Sequence, residues 1–352
     1  MTEIPMAGQS TADWPPAADP LRAPFTPVPP ERILDFGDVH RRYPALAAFR
    51  LRLGGTSLIE VPSVPGGATI LAKCEWENPA GSVKDRPAYA LLCDALRRHA
   101  NGARPHVLEY SGGKLADALS YLGAETGVQM RLVVSSFSPP SLLGRLRDRG
   151  AIVDIVDKHS GFIGVIRHAQ RIAEEDPSWT LLFQHVNPVN LAFHEQTTGR
   201  EILEQLAGRE PHTWVASIGS GGTLIGVLRA LRPRYPDLRA IGVTPAEAPY
   251  GAEGPPNAER KFGGAAGLGY GIRQPFVHAY DGEIAAHHHV SYREAMDATA
   301  ELYDLTGIRV GGSSGANWLV AREVAAELPP AAVVLTVFAD AGTPEQWKDL
   351  GR

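Results

Sequence analysis

Short β-branched runs alternate with longer stretches of helical spacing along most of this chain. Apolar positions predict strands over residues 70–74, 106–109, 130–134, 152–156, 213–218, 240–244 and 332–338. Helical spacing fills 84–99, the run up to 126, and 141–149, 162–175, 191–206, 223–231, 292–303 and 314–327. A helix is also predicted within 31–53. Residues 1–30 are rich in Pro, Ala and Thr without an apolar period, which predicts a flexible tail. Residues 245–285, rich in Gly and Pro, read as a long loop region. Strand–helix alternation of this kind predicts an α/β fold with parallel sheets covered by helices. Ligands of such sheets sit beyond the carboxyl ends of the strands, so chemistry is sought there.

Length and charge narrow the picture. A chain of 352 residues suits two domains. With 34 Lys and Arg against 39 Asp and Glu, the net charge of -5 offers no basic excess for nucleic acid. No apolar run approaches the roughly 20 residues that cross a bilayer, and the N-terminus lacks a basic-then-apolar leader pattern. The two cysteines, Cys74 and Cys93, read as packing residues; with no disulfide framework, a cytoplasmic home is expected. His287, His288 and His289 are consecutive, and adjacent side chains in an extended segment point to opposite faces, so a metal site is not expected. Arg145, Arg147 and Arg149 read as a solvated helix face.

Three strand-to-helix segments carry candidate chemistry. In Glu77-Asn78-Pro79-Ala80-Gly81-Ser82-Val83-Lys84-Asp85-Arg86, a turn opens a helix at Lys84. The positive end of a helix disfavours an ammonium and lowers its pKa, as an amine nucleophile requires. A surface lysine paired with Asp85 is the alternative. In Ile218-Gly219-Ser220-Gly221-Gly222-Thr223, glycine N–H groups, two hydroxyls and a helix start make a site for one compact phosphate. Leu224 stands where a dinucleotide fingerprint needs its third glycine. In Gly311-Gly312-Ser313-Ser314-Gly315-Ala316-Asn317, the serines can cap a helix, or Ser313 can meet a pyridine nitrogen. A neutral partner there favours β-elimination chemistry over transamination.

In this order and spacing, the segments resemble the cysteine synthase and cystathionine β-synthase family, from about Leu53 to Trp347. Gly54-Gly55-Thr56-Ser57-Leu58 is similar to its G-N-T-P-L, and 78–86 to its N-P-T-G-S-x-K-D-R. Gln184, Asn187, Pro188 and Asn190 match Q-x-x-N-P-x-N, 197–202 match T-T-G-x-E-I, and 311–316 match G-x-S-S-G-A. Asp340-Ala341-Gly342 stands where the family has D-S-G.

The resemblance implies a fold-type II (tryptophan synthase β-like) enzyme with pyridoxal 5'-phosphate in the cleft between two α/β domains. Residues 67–186 are expected to form the N-terminal domain, part of which closes over substrate, and 31–66 with 187–352 the C-terminal one. Lys84 would carry the cofactor as a Schiff base and then act as base on Cα. Gly219, Ser220, Gly221, Gly222 and Thr223 would hold the phosphate, Ser313 the pyridine nitrogen, and Gln184 the substrate carboxylate. The implied reaction is β-replacement on an O-acetyl- or O-phosphoserine type donor through an aminoacrylate, with a small nucleophile. The alternatives are β-elimination by an ammonia-lyase and a cofactor-binding partner protein without turnover. A homodimer is implied as well.

One motif departs. Where the family has T-S-G-N-T, which binds the substrate carboxylate and contacts the cofactor's 3'-oxygen, this chain has Ser111-Gly112-Gly113-Lys114-Leu115. Lys114 then stands near the cofactor, where it would pair with that oxygen or with an anionic part of the substrate, or it points to solvent. Beside this loop, Tyr110 stands where the family has Pro or a small residue.

Overall fold

The structure, a computed structural model, describes residue 25 and residues 28–99, 105–251, 268–269 and 273–352. The predicted tail, 1–30, lies outside the described residues except for 25 and 28–30. Among the described residues, ten strands form two sheets. They are β1 (Leu58–Val61), β2 (Thr69–Cys74), β3 (His106–Tyr110), β4 (Met130–Ser135), β5 (Ile152–Val156), β6 (Trp179–Leu181), β7 (Pro211–Ser217), β8 (Arg239–Pro245), β9 (Ile284–Val290) and β10 (Val333–Phe338).

The larger sheet runs β1-β2-β10-β7-β8-β9, and the smaller β5-β4-β3-β6. Only the β1–β2 pair is antiparallel among these strands. Every residue of β10 is buried, the pattern of a strand covered on both faces. Helices Gly222–Leu231 and Gly312–Ala326 pack on the larger sheet, and Lys114–Thr126 and Gly161–Glu175 on the smaller. Helix Asp85–Arg98 is buried from Asp85 to Leu96 and packs against Lys114–Thr126 and Pro188–His194.

Several elements differ from the sequence reading. β2 pairs in parallel with β10, from Thr69↔Val333 to Cys74↔Phe338, so it belongs to the larger sheet rather than with residues 67–186. Its apolar run needs cover on both faces, and a mid-sheet position supplies it. The helix expected within 31–53 is three short ones, Pro30–Ile33, Gly37–Arg42 and Pro44–Arg52, the last started by a proline at its first turn. The helix over 191–206 is Pro188–His194 and Arg200–Gln205 joined by a π-turn, Glu195–Gly199.

β9 arises within and just beyond the predicted loop region and holds the three histidines. They go to three partners. His287 stacks on Tyr250 at 4.3 Å, His288 faces Glu323 at 3.4 Å, and His289 Nδ1 lies 2.9 Å from Thr244 Oγ1. Arg145 and Arg149 do not form a solvated face; both clamp the Asp117 carboxylate, at 2.9 and 2.6 Å.

Candidate active site

Lys84 occupies the N-cap position of helix Asp85–Arg98. Burial pushes its pKa down to about 8, against an upward pull from the Asp340 carboxylate. Desolvation is thus the first cause, where the sequence argument credited the helix end. Asp85 does not form a surface pair with it. The Asp85 carboxyl accepts from Ala80 N and from Ser82 Oγ (3.1 Å), and burial raises its pKa to about 7.

The helix start is fixed by the next residue. Arg86 donates to both oxygens of Glu75 (2.6 and 2.8 Å) and to both of Glu201 (2.7 and 2.8 Å), with all of its side chain buried. Lys73 adds a contact to Glu201 at 2.8 Å. Two segments far apart in sequence, one ending in Arg86 and one containing Glu201, are thereby one structure. Removing one member of such a buried network costs about 3–5 kcal/mol.

Backbone pairing brings the other turns to Lys84. Ser82 bridges Asp340, and Val83 N donates to Ala339 O at 2.8 Å, so the lysine turn lies against the end of β10. Gly311 N donates to Asp340 O at 2.8 Å, and Ser314 Oγ accepts from Ala339 N at 2.9 Å. Ser313 is therefore buried at the start of helix Gly312–Ala326, beside the same strand end.

The glycine loop follows β7 and opens helix Gly222–Leu231, whose N-cap residue is Gly221; Gly222 N donates to Ser220 Oγ at 3.4 Å. Gly221 sits at φ 87°, a conformation glycine adopts without strain. A Cβ on Gly222 would lie 2.4 Å from Asn190 Oδ1. Asn190 Nδ2 donates to Ser220 Oγ (3.0 Å) and to Gln184 O (2.9 Å). His194 lies between Thr198 Oγ1 (2.9 Å) and Thr223 Oγ1 (3.3 Å). Its pKa is held well below the usual value by burial first, then by the charges of Arg86 and Lys84, so it is neutral. Asn190 and His194 had no role in the sequence reading. They are four residues apart on one helix face, and that spacing was the signal available.

The smaller sheet contributes a second polar group. Glu109 is buried at the end of β3, and burial raises its carboxyl to about 8 while Tyr110 N (3.1 Å) and Gln184 N (3.3 Å) donate to it. Gln184 Nε2 donates to Tyr110 O at 3.0 Å, so its amide nitrogen turns to the backbone of β3. Tyr110 OH lies 2.6 Å from His185 Nδ1 with the rings stacked. Burial, then the charge of Lys84, lowers His185 to about 3.

After Tyr110 come Ser111, Gly112 and Gly113; Ser111 Oγ accepts from Gly113 N at 3.3 Å. Lys114 starts helix Lys114–Thr126 and turns toward the end of β10 rather than outward. Its Nζ lies 3.4 Å from Gly342 O and 3.7 Å from Asp340 Oδ1. Asp340 thus faces both lysines, a role its place in the sequence did not reveal.

Pyridoxal phosphate asks for an amine, a phosphate cradle and a partner for its ring nitrogen. Lys84 supplies a half-buried amine of lowered pKa, within electrostatic reach of His194, which touches Thr223 of the glycine loop. The helix start at Gly222, with the Ser220 and Thr223 hydroxyls, is a cradle for a dianion. The Ser313 turn adjoins the strand end that carries Lys84. The residues present fit the group.

Comparison with known proteins agrees with this geometry. The family described as "Pyridoxal-phosphate dependent enzyme" matches residues 49–340. A cysteine synthase of Helicobacter pylori is 32% identical over 279 residues, which is 79% of this chain and 88% of the relative. One from Aquifex aeolicus is 32% identical over 300 residues, covering 82% and 88%. Among solved structures, a lysine-to-alanine mutant of O-ureido-L-serine synthase, bound to O-ureido-L-serine, superimposes with a TM-score of 0.77 at 26% identity, covering 86% of this chain and 91% of that one. The O-acetylserine dependent cystathionine beta-synthase of Helicobacter pylori gives 0.74 at 29% identity, covering 83% and 94%. With two mostly parallel sheets and a half-buried lysine at a helix start, this chain belongs to the pyridoxal-phosphate dependent enzymes, in the fold-type II cysteine synthase family.

Proposed function

We propose that this enzyme replaces the β-substituent of an O-acylserine with a small nucleophile such as sulfide or another thiol. The observation that carries the reading is the half-buried Lys84 amine, with pKa lowered to about 8, near the glycine loop and the Ser313 turn. Relatives named as cysteine synthases and a neighbour bound to O-ureido-L-serine support the donor class.

Bound pyridoxal phosphate supplies an electron sink that acidifies the α-proton of an amino acid joined to it. Lys84 would anchor the group through Nζ and would serve as the base for that α-proton; an amine with its pKa lowered to about 8 is well matched to this work at neutral to mildly alkaline pH. N–H groups of the Gly219–Thr223 loop, with Ser220 and Thr223, hold the phosphate. Asn190 keeps Ser220 in place. The buried Ser313 hydroxyl would face the ring nitrogen as a neutral partner rather than a carboxylate, which would favour departure of a β-substituent over transamination. Gln184 helps orient the substrate carboxylate, with Ser111, Gly112 and Gly113. Lys114, steadied by Asp340, would offer its ammonium to the cofactor's 3'-oxygen or to an anionic donor group.

In this reading the unit around β3–β6 closes over the substrate and excludes water, and the larger sheet carries the phosphate site. The protein acts as a cytoplasmic homodimer. Among the described residues, no helix is long and apolar enough to cross a membrane.

The test is product analysis. O-acetyl-L-serine and sulfide mixed with the holoenzyme are expected to give cysteine and acetate in equal amounts, by ping-pong kinetics. Pyruvate and ammonia from the donor, with no sulfur incorporated, would instead make the enzyme a lyase.

A further inference from the structure

Ser138 lies three residues beyond β4 and is 6% exposed, yet its Oγ has no hydrogen-bond partner. Buried hydroxyls are seldom left so, because the unmade bond is costly. Its direction is recorded by Gly112. A Cβ built on Gly112 would meet Ser138 Oγ at 3.6 Å, and no other atom would lie within 4 Å. The hydroxyl therefore faces a loop residue without a side chain, across otherwise open space.

That loop ends at Gly113, which starts the 13-residue helix Lys114–Thr126 without any side-chain cap. The first-turn N–H groups of such a helix have no partner within it and favour an anion. The one acidic side chain in the first turn, Asp117, is neutralised by Arg145 and Arg149. Lys114 adds an ammonium shared with Asp340. Ser138 is held by its own backbone, with N donating to Ser135 O at 2.9 Å, and is followed by Pro139 and Pro140.

We propose that Ser138 Oγ is a donor to the α-carboxylate of the amino-acid substrate, acting with the helix start at Gly113 and the Ser111 hydroxyl. The proposal rests on the O-acylserine reading above. It accounts for the altered loop. Gly112 has no hydroxyl and Leu115 has none, and the strand beside them returns one from a different part of the chain. Carboxylates prefer two or more donors in fixed positions.

The experiment compares Ser138→Ala and Ser138→Thr holoenzymes with O-acetyl-L-serine and with its α-carboxamide. With O-acetyl-L-serine, Ser138→Ala is expected to raise KM about tenfold to a hundredfold, with kcat nearly unchanged. Ser138→Thr recovers most of the loss. With the carboxamide, whose neutral carbonyl accepts a weaker bond, Ser138→Ala is expected to lose several-fold less than with O-acetyl-L-serine. As a second variant, Gly112→Ala fills the space above the loop and raises KM in the same selective way. An unchanged KM for Ser138→Ala, or an equal loss with both donors, would overturn the assignment. Wild-type enzyme that turns over no O-acylserine at all would overturn the functional reading itself, a result separable from either.

Discussion

Two glycine loops, each between a parallel strand and a helix, come from opposite sheets and are linked through Gln184 and Asn190. The loop at Gly219–Thr223, after β7, is braced on every side. Asn190 holds Ser220, His194 holds Thr223, and Gly222 lies too close to Asn190 for any side chain. The loop at Ser111–Gly113, after β3, is bare. Its Gly112 meets only an unpartnered hydroxyl, and the lysine after it reaches across to Asp340 and Gly342. Both loops resemble parts of the same family, yet only one keeps its pattern. The difference teaches where this chain keeps the family pattern and where it does not: the loop proposed to hold the phosphate is kept, and the loop proposed to meet the substrate is rebuilt.

The largest effect expected from breaking this contrast comes at the braced loop. Gly222→Ala puts a methyl group 2.4 Å from Asn190 Oδ1 and pushes that side chain off Ser220. Pyridoxal phosphate affinity should fall about tenfold to a hundredfold, the loss of one or two bonds to a charged group. Equilibrium dialysis of the apoenzyme against the cofactor measures it. An unchanged affinity would show that the brace at Asn190 is not needed.

A smaller effect sharpens the other side. Lys114→Asn removes an ammonium that is about a quarter exposed and 3.7 Å from its carboxylate partner. The ratio of kcat/KM for O-phospho-L-serine over O-acetyl-L-serine should drop about fivefold, in keeping with a partly screened charge. The visible absorption band should also shift if Lys114 meets the cofactor's 3'-oxygen. A variant with the wild-type ratio and the wild-type spectrum would confine Lys114 to its contact with Asp340.

What the sequence disclosed follows the same division. The helix starts at Lys84, at the 219–223 loop and at the Ser313 turn were legible because each is a local run of consecutive residues; the roles given to them stay proposals. The mid-sheet strands were legible from their apolar runs. β1 and β9 lie at sheet edges and β6 has three residues, so none buries enough to leave a strong pattern. The brace at His194, the carboxylate of Asp340 between two lysines, and the Arg86–Glu201 pair were not legible, since each depends on which elements lie side by side. Ser138 was invisible for the same reason. A serine before two prolines reads as an ordinary turn until Gly112 is seen opposite it.

The central claim is that Lys84 carries the cofactor, and chemical trapping tests it most directly. Holoenzyme reduced with borohydride, digested and mapped by mass spectrometry should bear one phosphopyridoxyl group, on the peptide containing Lys84. A group found on Lys114 or Lys73 instead, or protein that takes up no reducible cofactor, would contradict the account.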